Sequence, residues 1–184
     1  DPQASDDGQG NDQPILNPIT GQMEWNGTSI VEISDPAKPR LVWQIPNDKA
    51  HVNSRSVSVV YDYGFGSEPA GHDYLIRSYD TGKEFKFQIF DITTRDSDPS
   101  KIALVSEITG TPAGNCGKGC GGPFIRRAHK GWWSQSSGLF YSSSGEPGFR
   151  GVTVIHIWDL KDPRHPKFVG RAASPAQREG QPGY

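Results

Sequence analysis

Hydrophobic residues in this chain come in short runs bounded by polar residues, Gly and Pro. Residues 54–62 (Ser-Arg-Ser-Val-Ser-Val-Val-Tyr-Asp) alternate with a period of two, as in a half-buried strand. Residues 152–159 (Val-Thr-Val-Ile-His-Ile-Trp-Asp) form a nearly continuous apolar run, as in a strand covered on both faces. No window keeps the 3.6-residue period of a helix longer than about two turns. The sequence therefore predicts an all-β chain, with strands over residues 28–34, 40–45, 54–62, 73–79, 84–92, 101–108, 125–133, 138–144, 152–159 and 167–171.

A unit of strand, Pro-bearing turn and second strand occurs three times. Asp-Pro dipeptides at Asp35, Asp98 and Asp162 lie 63 and 64 residues apart. Pro fixes its own φ and offers no N–H, so it suits a turn. Superposing the copies also aligns the apolar residues before each turn, first Ile30, Ile89 and Ile157, then Val31, Phe90 and Trp158. Because these columns match too, the recurrence indicates a structural repeat rather than a common turn dipeptide.

These repeats resemble the LVIVD-repeat proteins, a β-propeller family whose blades carry an apolar strand, an Asp-x-Ser-Asp-Pro-x-x-Pro turn and a short strand. Residues 31–39 (Val-Glu-Ile-Ser-Asp-Pro-Ala-Lys-Pro) match this pattern closely, and residues 158–166 (Trp-Asp-Leu-Lys-Asp-Pro-Arg-His-Pro) nearly as well. The second copy departs from it, because residues 94–97 are inserted and Ile102 stands where the second Pro is expected. The resemblance covers roughly residues 25–173. It implies the propeller fold and says almost nothing about function.

The predicted strands group as two, four and four, in repeats near residues 28–45, 54–108 and 125–171. A propeller needs about four to eight four-stranded blades to close, so we expect a partial β-propeller of about two and a half blades within a longer or processed protein. Residues 1–24 and 174–184 are polar and rich in Gly, Pro or Gln, and are predicted to form an extended arm and tail.

Ten strands leave two blade faces without neighbours. We expect further blades, from the chain's own continuation or from another polypeptide, to cover those faces in a homo- or hetero-oligomer. An isolated chain should expose the apolar residues of its two end repeats, namely Val31, Ile33, Leu41, Trp43, Val154, Trp158 and Phe168.

Composition narrows the class of partner. The chain has 184 residues, of which 33% are hydrophobic, with 22 Gly and 15 Pro, and this suits many short strands. A formal net charge of −2 gives no bias towards nucleic acid or anionic membranes. No apolar run approaches the ~20 residues that span a bilayer. We therefore predict neither a nucleic-acid partner nor a membrane span.

The two cysteines, Cys116 and Cys120, lie in a Gly-rich stretch (Asn-Cys-Gly-Lys-Gly-Cys-Gly-Gly). They could close a small disulfide ring, stay as free thiols, or bind a metal, although a zinc site usually needs a second pair of ligands. We favour the disulfide, which points to an exported protein in the periplasm, on the cell surface or outside the cell. Asn26-Gly-Thr is a glycosylation acceptor pattern and equally a turn signal.

The candidate site of a propeller is the mouth of its central channel, formed by the loops that enter the innermost strands. Here those entries carry six cationic or imidazole side chains: His51, Arg55, Arg126, Arg127, His129 and Lys130. Aligning Ser56 with Lys130 sets Arg55 opposite His129. Concentrated positive charge in a concave site favours a carboxylate, a phosphate or a sulfated sugar. The alternative is that these side chains bind neighbouring carbonyl groups and hold the blades together.

Two further features bear on the candidate site. His51, His72 and His129 would meet as metal ligands only if residues 63–73 fold over the mouth, so neither a metal nor a cofactor is predicted. Trp132 and Trp133 are neighbours in a strand and should face opposite sides. One ring should pack between blades, while the other could line the channel or stack on a sugar.

Three functions remain open. The chain has no Gly-x-Ser-x-Gly, phosphate loop or His-Glu-x-x-His motif. The first hypothesis is an exported scaffold or recognition module that binds an anionic or carbohydrate ligand at the channel mouth. The second is a hydrolase or metal-dependent oxidoreductase with its site in the central funnel, the channel mouth formed by those six side chains. The third is a structural subunit of a larger assembly.

Overall fold

A computed structural model describes residues 13–54, 56–65, 70–81, 84–109, 128–146, 149–150, 154–178 and 180–181. In this part of the chain there are strands, two 3₁₀ turns (Pro99–Lys101 and Pro175–Gln177) and no α-helix, which confirms the all-β prediction. No helix that could cross a membrane occurs there. The strands are β1 (Ile15–Leu16), β2 (Met23–Glu32), β3 (Arg40–Asn47), β4 (Val57–Tyr63), β5 (His72–Asp80), β6 (Phe85–Asp91), β7 (Ala103–Thr109), β8 (Lys130–Ser134), β9 (Leu139–Ser144), β10 (Val154–Asp159) and β11 (Lys167–Ala172).

The strands form three open antiparallel sheets in sequence order. Sheet 1 contains β1–β3, sheet 2 contains β4–β7 and sheet 3 contains β8–β11. The predicted grouping of two, four and four strands therefore needs one addition, the short strand β1. β2 begins at Met23, five residues before the predicted start at residue 28, and β1 pairs with its first two residues. The described part of the predicted arm thus contains a strand, and a turn in which Ile19 N–H donates to Asn17 Oδ1 at 2.9 Å.

Sheet 2 lies in the middle, with its front face against sheet 3 and its rear face against sheet 1. The same directions define the front and rear of the other two sheets. The larger core fills the space between sheets 2 and 3, with the buried side chains Val60, Tyr63, Tyr74, Ile76, Phe87, Ile89, Ile108, Ala128, Trp133, Phe140, Trp158 and Leu160. A smaller core between sheets 1 and 2 contains Ile45, Leu75, Phe90 and Ile92, with Ile30 and Trp43 packed against it.

The exposure expected at the two ends is correct for two residues of the first end and for none of the last. In sheet 1, Val31 and Ile33 are 45% and 68% exposed, while the half-buried Trp43 packs against the smaller core. In sheet 3, Val154 and Trp158 are buried, because they lie on the rear face against sheet 2. The half-buried Leu41 and Phe168 also differ from the expected exposure. The front face of sheet 3 instead exposes Trp132, Ile155 and Val169.

Candidate functional site

The structure describes half of the predicted funnel. His51 is exposed in the turn after β3 and has a φ of 58°, in the left-handed region. His129 is half-buried and Lys130 is exposed, just before and at the first residue of β8. Arg55, Arg126 and Arg127 lie outside the described residues, as do Cys116 and Cys120. A cationic cluster of six side chains therefore stays a prediction, of which the structure locates three members.

The first strands of sheets 2 and 3 lie side by side and run in the same direction. Gly131 N–H donates to Ser56 Oγ, and Trp133 N–H to Ser58 Oγ, each at 3.1 Å. The small hydroxyl groups on β4 let the backbone of β8 come this close. Ser56 therefore lies beside Gly131 of the neighbouring strand. The equivalent positions of the two sheets are set by the pairing within each sheet, which matches Ser58 with Trp132 and so agrees with the alignment of Ser56 with Lys130.

Glycine is required where the two strands meet. A Cβ on Gly131 would lie 2.2 Å from an atom of the Phe140 ring, so no larger residue fits without moving the core. The other end of the contact is fixed by Gln135, whose amide nitrogen donates to Tyr61 O at 2.6 Å and whose amide oxygen accepts from Tyr61 N–H at 3.2 Å. The two strands are thus held together along their length.

The three histidines considered as metal ligands do not come together. His72 pairs with Tyr63, at the end of β4, whereas His129 precedes β8 next to the start of β4, where Gly131 meets Ser56. The two ends of β4 are six residues, or about 20 Å, apart. The Nδ1 atom of His72 lies 3.1 Å from Asp91 Oδ2. Among the residues described, no group of three His, Cys, Asp or Glu side chains could hold a metal ion.

A cavity lies elsewhere, between β2, β3 and the rear face of sheet 2. This β2 cleft has a volume of about 640 Å³. Its lining residues are Thr28, Ser29, Ile30, Val31, Glu32, Arg40, Val42, Val57, Val59, Tyr61, Leu75, Ile92, Arg95 and Asp96. Most of the wall is apolar, and four charged residues lie along it.

The charged residues of the β2 cleft are already paired. Arg40 Nη2 lies 2.5 Å from Glu32 Oε2, and Arg95 lies 3.4 Å from Asp96 while also binding Asp73. The guanidinium of Arg95 also sits over the Tyr61 ring, 5.2 Å from its centroid. Opposite charges cancel among the four, so the cleft offers no net charge to a ligand.

A buried arginine joins sheet 1 to sheet 2. Arg77 lies on the rear face of β5 and is 2% exposed. Its guanidinium lies 4.9 Å from the Phe90 ring centroid. Burial lowers the pKa of Arg77 to about 10, which still leaves it charged at neutral pH. It donates to four acceptors, two of them backbone carbonyls of sheet 1: Gln88 Oε1 at 3.0 Å, Ile45 O at 3.0 Å, Pro46 O at 3.1 Å and Thr28 Oγ1 at 3.4 Å.

A second buried polar group lies between sheets 2 and 3. His156 is fully buried on the rear of β10, with Nε2 3.2 Å from Glu146 Oε2, and Arg171 binds the other oxygen of that carboxylate. If Nε2 carries the proton and donates to Glu146, Nδ1 is left as a buried acceptor without a described partner. The prediction of His156 as a packing residue agrees with its burial, whereas its bond to Glu146 was not foreseen.

The stability of the protein should fall between pH 6.5 and pH 4 because of His156. Burial lowers the pKa of this imidazole to about 4 from its ordinary 6.5, and Arg171 already compensates Glu146. The unfolded chain therefore binds a proton in this window before the folded protein does, which removes about 3 kcal/mol of unfolding free energy. Urea unfolding at a series of pH values measures this loss.

The His156→Gln variant should lose most of this pH dependence, while His165→Gln, at an exposed turn residue, should keep it. An unchanged slope between pH 6.5 and pH 4 in His156→Gln would show that another group titrates there.

No protein-family model and no curated protein matches the chain. The fold defines the class of protein, an all-β chain of three stacked antiparallel sheets. In the described part, an apolar cleft lies beside sheet 1 and the front face of sheet 3 is open. The described residues at these two surfaces are mainly apolar or already paired with one another.

Proposed function

We propose that the chain is an exported, non-catalytic scaffold or recognition module of the β-propeller type, completed by further sheets that stack on its open faces. The observation that carries this proposal is the orientation of the three sheets. Each Asp-Pro turn joins a corresponding pair of strands, β2 to β3, β6 to β7 and β10 to β11. The apolar columns before the turns keep the same direction in every sheet.

Residues of the first aligned column point to the front of their sheets, and residues of the second column point to the rear. Ile30 packs towards sheet 2, and Ile89 is buried towards sheet 3. Phe90 belongs to the core behind sheet 2, and Trp158 to the core behind sheet 3. By the same order, Ile157 points forward from sheet 3, where the described residues provide no further sheet. A stack that repeats in this way is open at both ends.

The front faces of sheets 2 and 3 correspond residue by residue. The strand register defines one row across each front face, with one residue from each strand. In sheet 2 the row is Ser58, Ile76, Ile89 and Ser106. In sheet 3 the row is Trp132, Tyr141, Ile157 and Gly170. The first row is covered by sheet 3, and the second row should be covered by a sheet of the same kind.

The uncovered row is apolar and accessible. Ile76 and Ile89 are almost fully buried, whereas Trp132 is 62% exposed and stacks on Tyr141, with ring centroids 5.8 Å apart. Exposed apolar patches of this kind mark interaction surfaces. One difference concerns the inner strand, where Trp132 replaces Ser58 and cannot accept a hydrogen bond from a neighbouring backbone. The next inner strand must therefore lie farther from β8 than β8 lies from β4.

The ligand proposed for the channel mouth is an anion or a carbohydrate. Lys130 supports this, because it is an exposed cation at the start of the inner strand. A hydrolase or metal-dependent oxidoreductase stays the alternative, since three of the funnel residues lie outside the described part. The proposal that the protein is exported rests on the predicted disulfide between Cys116 and Cys120.

The proposal is tested by the association of the chain in solution. We expect sedimentation velocity to show self-association as the concentration rises, with a hydrophobic dye binding at low concentration. Trp132→Ser combined with Tyr141→Ser should remove both effects. Tyr61→Ser, at a similarly exposed aromatic residue on the rear of sheet 2, is the control and should retain them. A chain that stays monomeric and binds no dye at any concentration would contradict the proposal.

A further inference from the structure

The edge of β2 that borders the cleft is almost entirely unpaired in the described part of the chain. One edge of β2 pairs with β3 from Trp25 to Glu32. The other edge pairs only with the two residues of β1, at Met23 and Glu24. Gln13 and Pro14, the two described residues before β1, are not part of a strand, and Pro14 has no N–H to donate. An edge of this kind presents a row of free N–H and C=O groups.

The lining of the β2 cleft shows that this edge faces the cavity. β2 contributes five consecutive residues, Thr28 to Glu32, whereas successive side chains of a strand point to opposite faces. Five in a row are reached from the edge and not from one face. β4 contributes every second residue, Val57, Val59 and Tyr61, so one face of that strand forms the floor. The cleft thus combines a backbone edge with an apolar floor.

The size of the cavity fits a single strand. Strands lie about 4.8 Å apart within a sheet, and packed sheets lie about 10 Å apart. Five extended residues are about 16 Å long, so a strand segment of that length fills about 800 Å³. The cleft has about 640 Å³, which corresponds to about four residues.

We propose that the β2 cleft binds an extended peptide segment, which adds to the free edge of β2 as an antiparallel strand. Main-chain hydrogen bonds to the edge supply affinity, and the apolar floor selects the side chains that point inward. Because the four charges along the cleft are paired with one another, the segment is apolar at alternate positions and has no Pro in its centre. β1 shows that this edge accepts an antiparallel strand.

The chain itself provides a probe. β6, like β2, precedes an Asp-Pro turn, and the edge of β6 away from β7 carries β5. A fluorescent, end-capped peptide with the sequence of residues 72–80 (His-Asp-Tyr-Leu-Ile-Arg-Ser-Tyr-Asp) therefore imitates the strand expected beside β2. We expect saturable binding to the intact chain by fluorescence anisotropy, with competition by the unlabelled peptide.

Val57→Lys tests the location of binding. A lysine there should project into the cleft from its floor and weaken binding at least tenfold. Leu104→Lys is the matched control, because Leu104 pairs with Phe90 across β6 and β7 and is 47% exposed, close to the 44% of Val57. The Leu104→Lys variant should bind the peptide with the affinity of the unmodified chain. Loss of affinity in both variants, or in neither, would overturn the proposal.

Backbone methylation tests the mode of binding. A strand bonds one neighbour through alternate residues, so N-methyl groups on one alternate set of the peptide block the edge that meets β2. The other set points away from β2. We expect one methylated peptide to lose binding and the other to retain it, and any other pattern excludes strand addition. The variant altered at Trp132 and Tyr141 should bind the peptide normally, so a failure here is distinct from a failure of the proposed stacking.

Discussion

Replacing Trp133 with Ala is expected to lower the free energy of unfolding by about 3–5 kcal/mol, the usual loss for a large buried aromatic side chain. Trp133 is 2% exposed in the core between sheets 2 and 3. Its ring lies 5.0 Å from that of Tyr63, and its indole N–H donates to the Tyr63 hydroxyl at 3.3 Å. That hydroxyl donates in turn to Leu160 O at 2.8 Å. The substitution leaves a cavity in the largest core.

The neighbouring tryptophan provides the matched control. Trp132 is on the same strand but on the front face, so Trp132→Ala should leave the free energy of unfolding nearly unchanged. Equilibrium unfolding in urea measures both variants. Burial raises the pKa of Tyr63 to about 12, and this hydroxyl stays protonated in both proteins throughout the neutral pH range. Similar losses in the two variants would show that the front face of sheet 3 is also covered in the isolated chain.

Most of the strands could be predicted because each one has a local signal. Val57–Tyr63 alternates, Val154–Asp159 is mostly apolar, and the Asp-Pro turns mark where the third and fourth strands of sheets 2 and 3 are joined. The start of β2 was predicted too late because Trp25-Asn-Gly-Thr28 contains Asn-Gly, which usually marks a turn. In the structure this stretch continues the strand through a shift in register between Trp25 and Thr28.

It was harder to predict which face of sheet 3 is buried, because successive side chains of a strand point to opposite faces. A shift of one residue moves every side chain to the other face. Trp158 and Val154 are large and apolar, and nothing in their own sequence says whether they point towards sheet 2 or away from it. The same limit applies to Trp132 and Trp133, where the sequence shows that they face opposite sides but not which one is buried.

The buried polar groups depend on contacts between distant residues, which a single sequence does not reveal. Arg77 occurs in Tyr-Leu-Ile-Arg-Ser-Tyr, where a charge interrupts an apolar strand, and that interruption was the available signal. A charge at such a position needs buried acceptors. Two of them, the carbonyl groups of Ile45 and Pro46, lie more than 30 residues away on sheet 1. The β2 cleft likewise forms only when sheets 1 and 2 come together.

Replacing Arg77 with Ala should cost about 3–4 kcal/mol of unfolding free energy and act mainly on sheet 1. Without the guanidinium, the carbonyl oxygens of Ile45 and Pro46 and the side chains of Thr28 and Gln88 lose a hydrogen-bond donor. Each buried group left unsatisfied costs about 1–3 kcal/mol unless water replaces the donor. The contact of Arg77 with Phe90 is lost as well. Amide hydrogen exchange should show a larger loss of protection in β2 and β3 than in β9 and β10.

Two further variants separate the contributions to this effect. Arg77→Met keeps the aliphatic stem but removes every donor, so it should remain almost as destabilising as Arg77→Ala if the hydrogen bonds dominate. Arg40→Ala removes an exposed arginine of sheet 1 whose partner is Glu32, and it should change stability little. Equal loss of protection in sheets 1 and 3 on replacing Arg77 would contradict its role as the link between sheets 1 and 2. In that case the smaller core around Leu75 and Phe90 would have to hold sheet 1 in place without it.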